Sequence, residues 1–234
     1  MKTKNHFNLS SSSKNYSRRK FVGSVAATAS LLGLTSPLLA GVNQNPKPEK
    51  LSSNADDWFK NIKGAHRIVY DAPEPHSGFP FIWSWAYYFS NNQTGVTDQD
   101  MTAVVVLRHN AIPFAMEDNL WDKYQFGDTF NVKDNNTGKS ARRNPYYLPR
   151  EKDYPMPGID GIKALQDRGV MFCVCDLALT VYSSGAAQKM NLSPEEVKNE
   201  WVNGVFPGIQ VVPSGVWALS RAQKNGCGYI YTGG

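Results

Sequence analysis

The sequence predicts an α/β fold built on a mostly parallel five-stranded sheet covered on both faces. Three observations carry this. Strand-like and helix-like segments alternate from residue 66 to the end of the chain. Segments 102–108 and 170–175 are continuous apolar runs, as expected of strands buried on both sides. No internal repeat is present.

Residues 66–70 are a short β-branched run and read as the first strand. Residues 81–89 carry aromatics at helical spacing on more than one face, so this helix has neighbours beyond the sheet. The run 102–108 is a central strand. Residues 112–124 read as a helix with Pro113 in its first turn. Residues 158–168 form a second amphipathic helix, closed by Gly169 as a C-terminal cap. A buried strand over 170–175 leads into a helix over 178–190. Ser193-Pro194-Glu195-Glu196 combines an N-cap, a proline at the first helical position and acids in the first turn. A strand at 209–212, a helix at 215–224 and a last strand at 228–231 complete the alternation.

Residues 125–156 interrupt it. Asn131, Asn135, Asn136 and Gly138, with three prolines, three arginines and three tyrosines, fall in a segment without a clear period. Such an insertion is a lid, an oligomer contact or a solvated loop.

The net charge of +5 invites a nucleic-acid reading until it is located. Residues 1–40 hold Lys2, Lys4, Lys14, Arg18, Arg19 and Lys20, and no acid; the rest of the chain holds 19 basic and 20 acidic side chains. A body at −1 lacks the positive field that drives phosphate binding, so no nucleic-acid partner is expected. Arg18-Arg19-Lys20-Phe21 precedes an uncharged, mildly apolar run that ends Leu38-Leu39-Ala40. Paired arginines, a phenylalanine two residues on and a small residue at the end resemble a twin-arginine export signal. The run of about 16 residues is short of the roughly 20 a membrane span needs, and no cysteine follows it for a lipid anchor. A basic helix or membrane anchor is the alternative. The expectation is a signal over 1–40, a flexible leader over 41–64, a domain over 65–234 and a periplasmic location with no stable membrane anchor. The partner at that stage is the export machinery.

In open parallel sheets, sites form at the carboxyl ends of strands beside helix N-termini. Cys175 ends its strand where a helix begins at Asp176, and a helix N-terminus favours a thiolate. Cys173 shares its face by strand alternation, sits deeper and reads as a core residue; Cys227 lies between two glycines at the start of the last strand. A buried small apolar residue is the alternative for Cys175 too. Arg108 and His109 follow the central strand, where Arg108 suits an anion and His109 an acid, base or metal ligand. A histidine that merely caps or bonds a loop is the plainer reading. His76 lies in the loop after the first strand. The turn at Ser214 and Gly215 offers backbone N–H groups to an anion, or simple capping by Ser214 with close packing at Gly215. No phosphate loop, nucleophile elbow, dinucleotide fingerprint or dense metal-ligand motif is present, so the motifs call for no cofactor and no metal.

Residues 165–175, then 205–216, then 228–230, in that order, resemble the DsrE/DsrF-like sulfur-relay family, and residues 104–115 match its second strand and following helix. The resemblance spans roughly residues 65–234. It implies a three-layer α/β/α fold, homo-oligomers (trimers or hexamers), and sulfane sulfur carried as a persulfide on a cysteine at a strand-to-helix junction. Cys175 occupies that position. The implied partners are a sulfur donor or acceptor protein or a small sulfur compound. Three features depart from the cytoplasmic relay members: the export signal, the 125–156 insertion, and Arg108-His109 where many relatives carry His-Gly. The competing expectation is a non-catalytic ligand-binding or oligomeric interaction module of the same fold. A thiol–disulfide oxidoreductase would want a Cys-x-x-Cys pair, which is absent.

Overall fold

The computed structural model describes residues 55–233. The segment read as an export signal, and residues 41–54 of the expected leader, lie outside the described residues.

Five strands, β1 (His66–Ala72), β2 (Met101–Leu107), β3 (Met171–Cys175), β4 (Ile209–Val212) and β5 (Gly228–Tyr231), form one sheet in the order β4-β3-β2-β1-β5. Every pairing is parallel. The helices are α1 (Phe79–Gln93), α2 (Asp118–Lys123), α3 (Phe126–Thr129), α4 (Ile162–Asp167), α5 (Asp176–Met190), α6 (Pro194–Asn203) and α7 (Gly215–Lys224). No helix among the described residues is long and apolar enough to cross a membrane.

Strand alternation sorts the core into two halves. Val104 and Val106 of β2 join Val69, Cys173, Val212 and the buried face of α7. Ala103, Val105 and Leu107 join Tyr70, Phe172 and Val174 beneath α1, with Phe81 and Tyr88 as its anchors. Every residue of β2 is buried, as its apolar run requires of the central strand. The fold is therefore three-layered, α/β/α.

The structure corrects four local expectations and removes one of the alternatives open for the insertion. Residues 55–64 are not a free leader. Ala55, Phe59 and Ile62 are buried against α7, with Phe59 edge-on to Trp217, because they complete the apolar half under that helix. Residues 112–124 are not one helix. A 3-10 segment (His109–Ala115) gives way to extended backbone at Met116, which bridges Val205, and Glu117 N–H donates to Gly204 O at 2.9 Å. The helix before β3 starts at Ile162, four residues later than expected, with Gly169 past its end at φ +102°.

The insertion is not a solvated loop. Phe126, Phe130, Val132, Ala141, Tyr146 and Tyr154 are buried in the α1 half of the core. Tyr146 packs on Phe81 with ring centroids 5.5 Å apart, supplying the second neighbour that the aromatic helix demanded. Gly127 lets this segment close: a Cβ there would stand 2.3 Å from the Ala141 backbone. Finally, Cys173 and Cys175 do not share a face. Cys173 lies in the α7 half and Cys175 in the α1 half, because Cys175, the last residue of β3, is also the N-cap of α5 and turns its sulfur to the Ala178 amide.

Candidate functional site

Parallel register sets out the carboxyl edge of the sheet. Ala72 pairs with Leu107, Leu107 with Val174, and Cys175 with Val212. Arg108, Cys175 and Val212 therefore occupy successive places along that edge, and the turn at Ser214 follows Val212 directly.

Cys175 is the residue on which β3 becomes α5. Its Sγ accepts the Ala178 N–H at 3.3 Å, so the sulfur caps one of the free amides of a 15-residue helix. Asp176, in the first turn, is held by Lys198 of α6 at 2.9 Å. The Cys175 residue is 6% exposed. Burial pushes the Cys173 thiol far above its ordinary value, and also raises Cys227, to about 11 despite Arg67 nearby. All three cysteines are free.

Arg108 is bound inward. Its Nε and Nη2 donate to the two oxygens of Asp71 at 2.6 and 3.0 Å, and the Tyr229 hydroxyl donates to Asp71 at 2.8 Å. The Asp71 carboxylate holds the guanidinium's pKa even higher than usual, against the opposing effect of burial. Burial and this same hydrogen bond raise the Tyr229 phenol. The Arg108 stem lies across the start of α7. A Cβ on Gly215 would sit 2.6 Å from the Arg108 Cβ. Ser214 Oγ accepts the Trp217 N–H at 3.3 Å. Capping and close packing thus account for the Ser214–Gly215 turn, and the turn and Arg108 meet.

His109 has φ +50°, unusual for a side chain with a Cβ, and its half-exposed ring faces outward. Glu74 clamps this loop, taking His109 Nδ1 at 3.0 Å and Asn110 Nδ2 at 2.8 Å. The Tyr182 hydroxyl of α5 donates to Asn110 Oδ1 at 2.5 Å. Burial first, and the Glu74 charge second, raise the Tyr182 phenol. A polar chain thus ties the β1 and β2 loops to the helix that Cys175 begins. Glu74 and Tyr182 were not legible as site residues. Tyr182 carries no motif, and Glu74 is one acid in a proline-rich loop.

His76 belongs to the far side of the edge. Its Nδ1 donates to Thr232 O at 2.8 Å and its ring stacks on Phe79 at 4.8 Å. It follows β1, two strands from β3, and the structure does not bring it to Cys175. Among the described residues no group of three or more His, Cys, Asp or Glu is arranged to hold a metal.

A cleft of about 660 Å³ lies elsewhere. It runs between residues 123–129 and the outer face of α5, with Trp201 on its wall. Tyr182 borders it, and so joins this cleft to the polar chain at the sheet edge.

No family model matches the chain. No curated protein sequence matches it. Among solved structures, it is similar to a protein of unknown function, MTH1491, from Methanobacterium thermoautotrophicum: the identity is 16%, the alignment covers 71% of this chain and 99% of that one, and the TM-score is 0.37.

Proposed function

We propose that this chain is an exported, DsrE/DsrF-like sulfur-handling protein that binds or transfers sulfane sulfur through Cys175, and that it works as a homo-oligomer, a trimer or hexamer. One observation carries the reading: the Cys175 sulfur stands at a strand-to-helix junction and accepts the Ala178 amide at 3.3 Å. The resemblance over 165–175, 205–216 and 228–230 supports it, since those segments are the β3–α5 junction, the β4–α7 turn and β5.

The chemistry is a sulfur transfer. The Cys175 thiolate attacks the outer sulfur of a persulfide R–S–SH. The donor's S–S bond breaks, R–S⁻ leaves as a thiolate, and Cys175 becomes Cys–S–SH. The helix amides stabilise the attacking thiolate. His109 shapes the mouth of the site and Arg108, fixed by Asp71 and seated on Gly215, shapes its floor. His76 is too far along the edge to take part in the same step. Ser214 serves by capping α7. The partner is a donor or acceptor protein, or a small sulfur compound. The twin-arginine signal directs the chain to the periplasm.

The burial of Cys175 favours a second reading, a non-catalytic ligand-binding or interaction module with an inert thiol. Intact-mass spectrometry after incubation with polysulfide separates the two. The sulfur-handling reading expects a gain of one sulfur that dithiothreitol removes and that Cys175→Ser abolishes. No gain, or a gain that survives Cys175→Ser, leaves the interaction module. Light scattering on the purified protein reads the oligomer: a monomer at working concentration rejects the trimer or hexamer.

A further inference from the structure

The insertion carries a charge that the sulfur chemistry does not use. Residues 125–156 hold six basic and four acidic side chains, in a body that is otherwise slightly acidic. Arg142, Arg143, Arg150 and Lys139 line a cleft of about 630 Å³, in company with Asp128 and Asp134. Cations therefore outnumber acids on its walls by two.

Arg143 is the informative member, only 8% exposed. Its Nη2 donates to both oxygens of Asp153, at 2.7 and 2.6 Å, and its Nη1 to Asn144 O at 3.3 Å. Its Nε has no hydrogen-bond partner among the described residues. Asp134 Oδ2 faces it at 3.7 Å, within ion-pair range but too far for a hydrogen bond. A buried, charged donor left unmade is costly and asks for an acceptor.

The acids of the cleft are already engaged. Asp134 Oδ1 accepts the Asn136 and Thr137 backbone N–H groups at 2.8 and 3.1 Å. Asp128 accepts the Ser140 hydroxyl and faces Arg142 at 3.4 Å. Lys139 and Arg150 are exposed and pair with no carboxylate among the described residues.

We propose that this cleft binds a tetrahedral oxyanion, a phosphoryl or sulfuryl group, with Arg143 Nε as the buried donor and Lys139, Arg142 and Arg150 as the rim charges. Three-fold oxygen acceptors suit a set of separated cationic donors better than a single carboxylate does. The cleft is much larger than a bare oxyanion, so it accommodates a small organic carrier of that group. The site is separate from Cys175 and stands or falls without it.

Isothermal titration of the full chain at low ionic strength tests this, with inorganic phosphate in one arm and thiosulfate in the other. Saturable binding is expected, with Kd on the order of 1 mM or tighter. Arg143 holds Asp153, so its removal would confuse binding with folding. The double variant Lys139→Gln/Arg150→Gln touches only exposed ends; it should bind about tenfold more weakly while melting as wild type does. Lys224→Gln, on α7, should bind as wild type. Tighter binding in the phosphate arm identifies a phosphoryl ligand, and in the thiosulfate arm a sulfuryl one. If neither anion saturates the protein, or if the double variant binds either as tightly as wild type, the proposal is overturned.

Discussion

Arg108 and Asp71 form a two-point ion pair, at 2.6 and 3.0 Å, that fastens the carboxyl end of β2 to that of β1. Asp71 is 3% exposed, while the arginine keeps one side in solvent. The backbone of Asp71 is held as well: its carbonyl accepts the Thr232 N–H at 2.9 Å and the Thr232 hydroxyl at 2.7 Å. Three strands, β2, β1 and β5, thus converge on one aspartate beneath the candidate site.

Arg108→Gln should destabilise the fold by about 2–4 kcal/mol, because it leaves a buried carboxylate with only the Tyr229 hydroxyl. Arg108→Lys should recover part of that loss but not all, since an ammonium cannot reproduce the fork. Urea denaturation monitored by tryptophan fluorescence measures both. Equal stability in all three proteins would mean the pair is not structural.

Gly215→Ala should cost about 1–3 kcal/mol by overpacking, because the added Cβ meets the Arg108 Cβ at 2.6 Å. That atom is the root of the side chain and cannot swing aside. The check is the same denaturation curve, together with the double variant Gly215→Ala/Arg108→Ala. Removing the Arg108 stem beyond Cβ relieves the contacts to Cδ and Cγ, at 2.7 and 3.1 Å, and leaves the Cβ contact, so the relief should be partial.

Asp98 sets part of the acid response. It accepts from Arg168 at 2.9 and 3.2 Å and from Asn92 at 2.9 Å. The Arg168 hydrogen bond above all holds its pKa below the ordinary 3.8, against a smaller opposing effect of burial. A depressed folded value means the contribution is complete above the unfolded pKa and disappears as pH falls through the folded one. Asp98→Asn should therefore lower stability modestly, by about 1 kcal/mol for a partly exposed pair, at pH 7. The difference from wild type should shrink as pH drops below about 4. Melting curves from pH 7 to pH 2 provide the check; a gap that stays constant would contradict it.

Export is tested at the paired arginines. Arg18→Lys/Arg19→Lys should keep the chain in the cytoplasm when cells are fractionated, while the wild type reaches the periplasm. Equal periplasmic recovery of both would remove the twin-arginine reading.

The elements that were legible are those with local punctuation. Ser214 and Gly215 open α7, Ser193 and Pro194 open α6, and the four-residue strands β4 and β5 fall between them and their glycines. The continuous apolar runs marked β2 and β3 as interior strands of a parallel sheet. What stayed hidden depends on distant partners. The break at Met116 is made by Val205 and Gly204, nearly ninety residues on. The insertion has no period because its order comes from single contacts. Buried Asn144, for instance, donates to Phe114 O at 2.8 Å and accepts from Tyr146 N–H at 3.0 Å. In the candidate site, Cys175, Arg108 and Gly215 were legible from their places at strand ends. Asp71, which pairs with Arg108, and Glu74 and Tyr182, which hold the His109–Asn110 loop, were not, because nothing local distinguishes a residue whose partner lies on another element.

The most direct test of the account is to find which cysteine takes up sulfur. Polysulfide-treated protein in a Cys173→Ser background, digested and sequenced by mass spectrometry, separates the two thiols that β3 would otherwise keep on one peptide. Burial keeps Cys227 protonated near neutral pH, so it should remain unmodified. The account predicts a one-sulfur adduct on the peptide containing Cys175 and none on the peptide containing Cys227. An unmodified Cys175, with or without an adduct elsewhere, would contradict it.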